Sequence, residues 1–326
     1  MCTENKTVIT DIHLGFHDFN KFKIPLFILF LLLYIVILCG NVLIVFLVSF
    51  NENLQIPMFL FLKHVGLADV LLTTNIVPMM LHIILNEEMI ITLDGCKCQL
   101  YIFGLSNVQC LLLAIMSYDR YLAICYPLHY ISVMSLDVCL LLVVGSWLLA
   151  FVLVTGEMIL VYKLDFCGFN QIDHFFCDFG PLLSLSTSDT SVLTFVDLVY
   201  SVVIITVPFI FIIGTYVCIF ITIFKMNSKT GRKKTFSTCS SHLTVVCTYY
   251  GTLSIVYTSP AEESSSNANM KKFLSLFYIV IAPFMNPIIY SLKNKEIRET
   301  LRKYIKWCRK SIDSLNICFC KIHIIQ

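Results

Sequence analysis

Met116-Ser117-Tyr118-Asp119-Arg120-Tyr121-Leu122-Ala123-Ile124-Cys125 closes an apolar run that begins near Cys96, and its position decides how the rest of the chain is read. A membrane-spanning helix needs about 20 apolar residues. The stretch from Leu100 to Met116 supplies most of one without an acidic or basic side chain. Asp119-Arg120-Tyr121 therefore lies at a membrane boundary. Arg is costly in hydrocarbon, so an Arg at a span end beside an Asp reads as a paired charge that is exposed conditionally, which is the chemistry of a switch. A snorkelling interfacial anchor would present the same residues.

The composition extends that reading to the whole chain. Of 326 residues, 58% are hydrophobic and 13% are charged, well above the roughly half apolar content of soluble domains. This is the composition of a polytopic membrane protein. Hydropathy over windows of about 19 residues gives seven candidate spans, at 25–49, 57–83, 96–123, 138–161, 194–224, 236–259 and 271–292. The expected fold is an all-α membrane protein, a seven-transmembrane helix bundle over 25–292 with an N-terminal segment 1–24 and a tail 293–326. No internal repeat or second domain is legible. The opening residues hold no basic region followed by an apolar core before Pro25, so the first span is expected to do the targeting.

Net charge of +2 says little, because the distribution of Lys and Arg over the loops orients a membrane protein. Lys225, Lys229, Arg232, Lys233 and Lys234 lie between spans five and six with no acid, whereas Glu87, Glu88 and Asp94 lie between spans two and three. The 225–234 loop is therefore expected in the cytoplasm and the N-terminus outside, in the plasma membrane. Asn5-Lys6-Thr7 is a glycosylation sequon, useful on the outer side. The tail is basic from Lys293 to Lys310, as suits a segment near anionic lipid. After span seven Leu292, Ile297, Leu301, Tyr304 and Ile305 recur at helical spacing among the basic residues, which predicts a short amphipathic helix on the inner leaflet. Cys308, Cys318 and Cys320 after it are open to acylation.

Most of the fifteen Cys, such as Cys39, Cys110, Cys139, Cys218 and Cys247, lie in apolar runs and read as packing. Cys167 and Cys177 fall in the loop between spans four and five, on the oxidising side. Asp69 in mid-span two is expensive unless it faces the bundle interior. Asn41 and Asn286 are its obvious partners, and the three form either a site for water or a monovalent cation or a structural knot joining helices one, two and seven. Pro208, Pro260, Pro283 and Pro287 lie in or at the ends of the last three spans, where each removes a backbone hydrogen bond and can make a hinge. A transporter would need a line of paired charges or repeated half-bundles, and neither is present. His242 beside Ser240 and Ser241 lacks a nearby orienting acid for hydrolysis. His174 and Cys177 have the spacing of a metal pair, but Cys177 is better used in a disulfide; no metal and no cofactor is expected.

Gly40-Asn41, Pro57-Met58-Phe59, Leu67-Ala68-Asp69, Met116 to Leu128, Lys234-Thr-Phe-Ser-Thr-Cys-Ser-Ser-His-Leu243 and Pro283 to Asn294 resemble, in order, the signatures of one family. It is that of the rhodopsin-like G-protein-coupled receptors, and within them the odorant receptors. Asp-Arg-Tyr and Asn286-Pro287-Ile-Ile-Tyr290 mark the superfamily; the blocks around Ala123-Ile124-Cys125 and Ser240-Ser241-His242 mark odorant receptors.

The resemblance implies a small-molecule odorant as ligand and a heterotrimeric stimulatory G protein as partner, with cyclic AMP as the readout and no enzymatic activity. A receptor of this subfamily acting outside the olfactory epithelium would carry the same residues. Asp119 would hold Arg120 at rest, with Tyr121 beside it, and Tyr216 and Tyr290 would meet Arg120 in the active state. The implied pocket lies between spans three, five and six and uses Ile102, Phe103, Ser106, Asn107, Cys110, Tyr250, Leu253, Ser254 and Tyr257. Where amine receptors place an Asp, this chain has Ile102, against an aminergic reading. Cys96 and Cys177 match the family's disulfide pair. The usual partner of Cys167 looks replaced by Thr187, leaving Cys167 free or paired with Cys98. The family's acid in mid-span three looks replaced by Gln109, so that a cation at the Asn41, Asp69, Gln109 and Asn286 cluster would be held more weakly. Tyr126 stands where His is usual.

Overall fold

The computed structural model describes residues 9–15, 23–168, 170–172, 174–258, 279–290, 294 and 296–306. Asn5, Pro260, the beginning of span seven and Cys308, Cys318 and Cys320 lie outside them, as does the side chain of Tyr257.

Long apolar segments become helices because, without water, every backbone N–H and C=O needs a partner within its own segment. Five helices among the described residues are long and apolar enough to cross a membrane: α1 (Lys23–Phe50), α2 (Pro57–Asn86), α3 (Leu93–Cys125), α5 (Leu136–Tyr162) and α7 (Ser191–Lys225). Between α3 and α5 lies the short α4 (Pro127–Val133). Before α7 comes α6 (Phe179–Ser184). The helix α8 (Lys229–Thr258) starts with a basic, polar turn and packs against α3 and α7. It is followed by α9 (Ile279–Tyr290), a shorter apolar helix, and by α10 over 296–306. Asn294 caps α10, accepting from the Glu296 and Ile297 amides at 2.9 and 3.3 Å. Ile297 is buried, Ile305 is exposed, and the Tyr304 ring meets Phe46 of α1 at 6.1 Å, so α10 lies with one apolar face against the bundle.

Two spans depart from regular helix for identifiable reasons. In α3 the Tyr200 hydroxyl, from α7, donates to the Gly104 carbonyl at 2.6 Å and accepts from Asn107 Nδ2 at 3.2 Å. A side chain entering the i→i−4 ladder breaks it, and the helix breaks at Asn107. In α7 a π-helical turn occupies Val202–Thr206, ending two residues before Pro208. The proline ring cannot accommodate the carbonyl four residues back, and the extra residue in the turn relieves that clash.

A three-stranded sheet covers the end of the bundle where α2 ends and α3 starts. The strand β1 (Asp11–Gly15) is central, antiparallel to β2 (Glu88–Thr92) and parallel to β3 (Gln171–Ile172). Ile12 and Leu14 point inward and are fully buried, the period-2 pattern of a half-buried strand. Lys23 at the start of α1 is ion-paired with Glu87 at the end of α2, 3.0 Å apart, on the same side.

Gly40 lets α1 approach α9. A Cβ at this position would lie 2.8 Å from the Pro287 Cβ. We expect Gly40→Ala to destabilise the protein by about 1–3 kcal/mol, as overpacking does. A thermal melt of the purified protein reads this as a lowered midpoint, and an unchanged midpoint would contradict the contact.

Candidate receptor site and its switch

The buried carboxylate at the centre of the bundle is fully satisfied by amides. Asp69 is 0% exposed; Gln109 Nε2 donates to its Oδ1 and Asn286 Nδ2 to its Oδ2, each at 2.7 Å. Helices α2, α3 and α9 thus meet on one side chain. Asn41 does not join that carboxylate: its Nδ2 donates to the carbonyls of Ile37 and Pro283, both at 3.1 Å, tying α1 to α9 one step away. Among the described residues no group of three His, Cys, Asp or Glu side chains is placed to hold a metal ion.

Below this centre, at the end of α3, Asp119 is buried and Arg120 is folded onto it. Arg120 Nε donates to Asp119 Oδ2 at 2.8 Å, and the other carboxylate oxygen accepts from the Tyr130 hydroxyl of α4 at 2.8 Å. Burial and the adjacent Asp119 carboxylate raise the Tyr130 phenol above its ordinary range, so it is a fixed donor at neutral pH. Tyr216 instead lies 2.7 Å from His242 Nδ1, linking α7 to α8. The Tyr290 hydroxyl is buried with no hydrogen-bond partner among the described residues. Tyr216, His242 and Tyr290 all lie within electrostatic reach of Arg120. Tyr121 packs between Tyr118 at 6.3 Å and Tyr126 at 5.5 Å, which gives the unusual Tyr126 a structural partner.

In the other half of the bundle, the expected pocket residues are partly brought together. Cys110 donates its thiol to the Tyr249 hydroxyl at 3.3 Å, and the Tyr249 and Tyr250 rings are 5.4 Å apart. Tyr250 stacks on Phe209 of α7 at 4.5 Å. Phe103 packs on Phe176 at 5.7 Å, and Phe176 packs on His174 at 4.5 Å. Asn107 is engaged by Tyr200, and Ser106 turns its hydroxyl back to the Phe103 carbonyl at 2.6 Å. Leu253 is buried, Ile102 half-buried and Ser254 exposed. A groove of about 520 Å³ lies elsewhere, on the outer face of α3, α5 and α7 between Leu111, Ile115, Tyr118, Leu149 and Phe211. It shares no residue with the expected pocket.

The roof over these residues is covalent. Cys96 is disulfide-bonded to Cys177, across 81 residues of sequence. Gln99 reinforces it, accepting from the Cys177 amide at 2.8 Å while its own amide donates to the Asn75 carbonyl at 2.9 Å. Cys167 is also disulfide-bonded, and Cys98 is a free thiol. Neither a free Cys167 nor a Cys98–Cys167 bond is present.

Comparison with known proteins fixes what kind of molecule carries this arrangement. A family model described as olfactory receptor matches residues 30–307. The chain belongs to the olfactory receptor family. Human olfactory receptor 5G3 is 43% identical over 305 residues, covering 93% of this chain and 96% of its own. Human olfactory receptor 11A1 is 41% identical over 96% of this chain and 98% of its own, and mouse olfactory receptor 5P52 is 42% identical over 94% and 98%. The membrane-length helices are thus those of a seven-transmembrane, G-protein-coupled olfactory receptor, a multi-pass membrane protein and not an enzyme.

Sequence reading did not single out Gln99, Phe176, Tyr200, Phe209 or Tyr130. Gln99 and Tyr200 carried a usable signal, as hydrogen-bonding groups within apolar runs; Phe176 and Phe209 carried none, since Phe at these positions reads equally well as packing. Glu157 of α5 and Asp197 of α7, two acids that influence each other inside the spans, were also passed over.

Removing the hydroxyl that interrupts α3 tests the local geometry. Tyr200→Phe forfeits bonds to Gly104 and Asn107 and is expected to cost about 1 kcal/mol, read as a lower melting midpoint of purified receptor; no loss would show that the break in α3 is held by other contacts.

Proposed function

We propose that this olfactory receptor binds small, mostly apolar volatile molecules between α3, α7 and α8, on the side of the Cys96–Cys177 bond, and that it activates a heterotrimeric stimulatory G protein that raises cyclic AMP. In this reading the N-terminus is extracellular and the end of α3 bearing Asp119 faces the cytoplasm of the cell, at the plasma membrane. The ligand meets Ile102, Phe103, Ser106, Asn107, Cys110, Tyr250, Leu253, Ser254 and Tyr257. Such a surface offers apolar area and a few hydroxyl and amide groups, so it selects by shape at roughly 1–3 kcal/mol per methylene and has no carboxylate at Ile102 to attract an ammonium.

One observation carries the signalling half: Arg120 is closed onto Asp119, whose second oxygen is occupied by Tyr130, while Tyr216 is engaged by His242. This is the arrangement expected of a resting receptor. An agonist that binds the active arrangement more tightly shifts the population toward it. The ends of α7 and α8 then part from α3, Asp119 releases Arg120, and Tyr216 and Tyr290 become its partners, with Pro287 beside Asn286 as the hinge. Tyr121 keeps the end of α3 packed through the change.

A screen of volatiles in cells reporting cyclic AMP tests the reading. Arg120→Ala is expected to abolish the response at normal surface expression; an unchanged response would overturn the mechanism. Sodium gives a second test. With Gln109 in place of an acid, and Asn41, Asp69 and Asn286 as the remaining polar groups, a cation is held by one carboxylate. Gln109→Glu should therefore strengthen the dependence of agonist potency on sodium. Equal sodium dependence in both proteins would rule this out.

A further inference from the structure

We infer that the groove on the outer face of α3, α5 and α7 binds a membrane sterol, a rigid apolar molecule with a single hydroxyl group at one end. The groove has a volume of about 520 Å³ and is lined by Leu111, Ile115 and Tyr118 of α3, Gly145 and Leu149 of α5, and Phe211 of α7. That volume is in the range of small-molecule sites. On α3 the lining extends from Leu111 to Tyr118, about 10 Å of helix, and on α5 from Leu141 to Leu149, about 12 Å. The site is an elongated slot along the helices.

The medium around this slot is hydrocarbon. All three helices are long and apolar enough to cross a membrane, and Leu141, Leu148, Val152 and Phe211 are exposed on this side. An occupant therefore comes from the bilayer. Gly145 makes room for it: among the described residues, a Cβ there would meet nothing within 4 Å. Glycine inside a helix weakens it, and in membrane helices the usual gain is the close approach of a neighbour. No neighbour uses Gly145 in that way, so the missing side chain supplies space in the groove.

One end of the slot is polar. Ser146 also lines it, but its hydroxyl donates back to the Leu142 carbonyl at 2.8 Å. Tyr118 is held by ring contacts, to Tyr121 at 6.3 Å and to Phe211 at 6.2 Å, and among the described residues its hydroxyl has no hydrogen-bond partner. It stands one residue before Asp119, at the membrane boundary, where a tyrosine keeps its ring in hydrocarbon and its hydroxyl in the interface. The groove is thus apolar along its length and offers a phenol at its interfacial end. A sterol has the same layout, with its hydroxyl at the interface and its rings in hydrocarbon.

Two features select a sterol over the surrounding phospholipid. Among the described residues no Lys, Arg or His lines the groove, so nothing there holds a phosphate. An acyl chain must also freeze many rotamers to lie still in a slot, whereas fused rings are ordered beforehand and lose little entropy.

Photolabelling of the full-length receptor tests this without odorant or G protein. Purified receptor is placed in phosphatidylcholine vesicles with a sterol carrying a diazirine on its rings, irradiated, and mapped by mass spectrometry. Adducts should concentrate on the groove residues of α3, α5 and α7, and unlabelled sterol should displace them. Tyr118→Phe, which removes one hydrogen bond, should weaken that displacement by about threefold to tenfold. Gly145→Leu, which fills the slot from its exposed side, should remove most groove adducts while leaving labelling elsewhere unchanged. Adducts spread evenly over the lipid-facing helices of the wild type would overturn the assignment. So would undiminished groove labelling in Gly145→Leu, unchanged displacement in Tyr118→Phe, or groove labelling by a phosphatidylcholine with an acyl-chain diazirine that sterol fails to displace.

Discussion

The Asp119 carboxylate is the constraint on which the cytoplasmic end of the proposed resting state depends. It sits fully buried at the end of α3, where an unpaired charge would be costly, and both its oxygens are occupied, one by Arg120 and one by Tyr130. In the proposed resting state Arg120 is thereby kept from Tyr216 and Tyr290, and Tyr130 holds α4 to α3. Releasing Arg120 leaves Asp119 short of a partner, so the change requires compensating bonds elsewhere. In the proposed activation, Tyr290, with its hydroxyl buried and unbonded among the described residues, would supply one.

The same logic recurs higher in the bundle. Asp69 brings α2, α3 and α9 together because an acid in hydrocarbon must find donors, and Gln109 and Asn286 are those donors. Gln109 is thus more than the loss of a charge: its amide satisfies the carboxylate directly. A cation at Asp69 would have to compete with two N–H donors already in place. Above, Tyr200 and Gln99 act on backbone groups, one interrupting α3 and the other holding the disulfide-bonded segment to α2 and α3.

The fold was legible because membrane insertion imposes a strong rule on composition: long uncharged runs bounded by basic loops read directly as helices, and the sequence blocks around Ala123-Ile124-Cys125 and Ser240-Ser241-His242 mark one family. The small sheet was harder to see. Ile12 and Leu14 alternate as a strand should, but a five-residue strand has meaning only once β2 and Gln171–Ile172 lie beside it. The polar pairs divide in the same way. Asp69 and Asn286 were visible as expensive residues in need of partners, whereas Tyr130 to Asp119 and Tyr216 to His242 are contacts that depend on how α4 and α8 pack. Cys167 shows the limit of pattern matching: with Thr187 at the family's usual partner position it was expected to be free or paired with Cys98, yet it is disulfide-bonded while Cys98 is a free thiol.

The most direct test of the proposed lock is the odorant-independent signal of Asp119→Asn. Losing one charge-assisted pair costs the resting state about 1.5–3 kcal/mol, or roughly tenfold or more in the ratio of resting to active receptor. Basal cyclic AMP at matched surface expression should therefore rise well above that of the wild type. Basal signalling equal to the wild type at that expression would contradict the claim that Asp119 restrains Arg120.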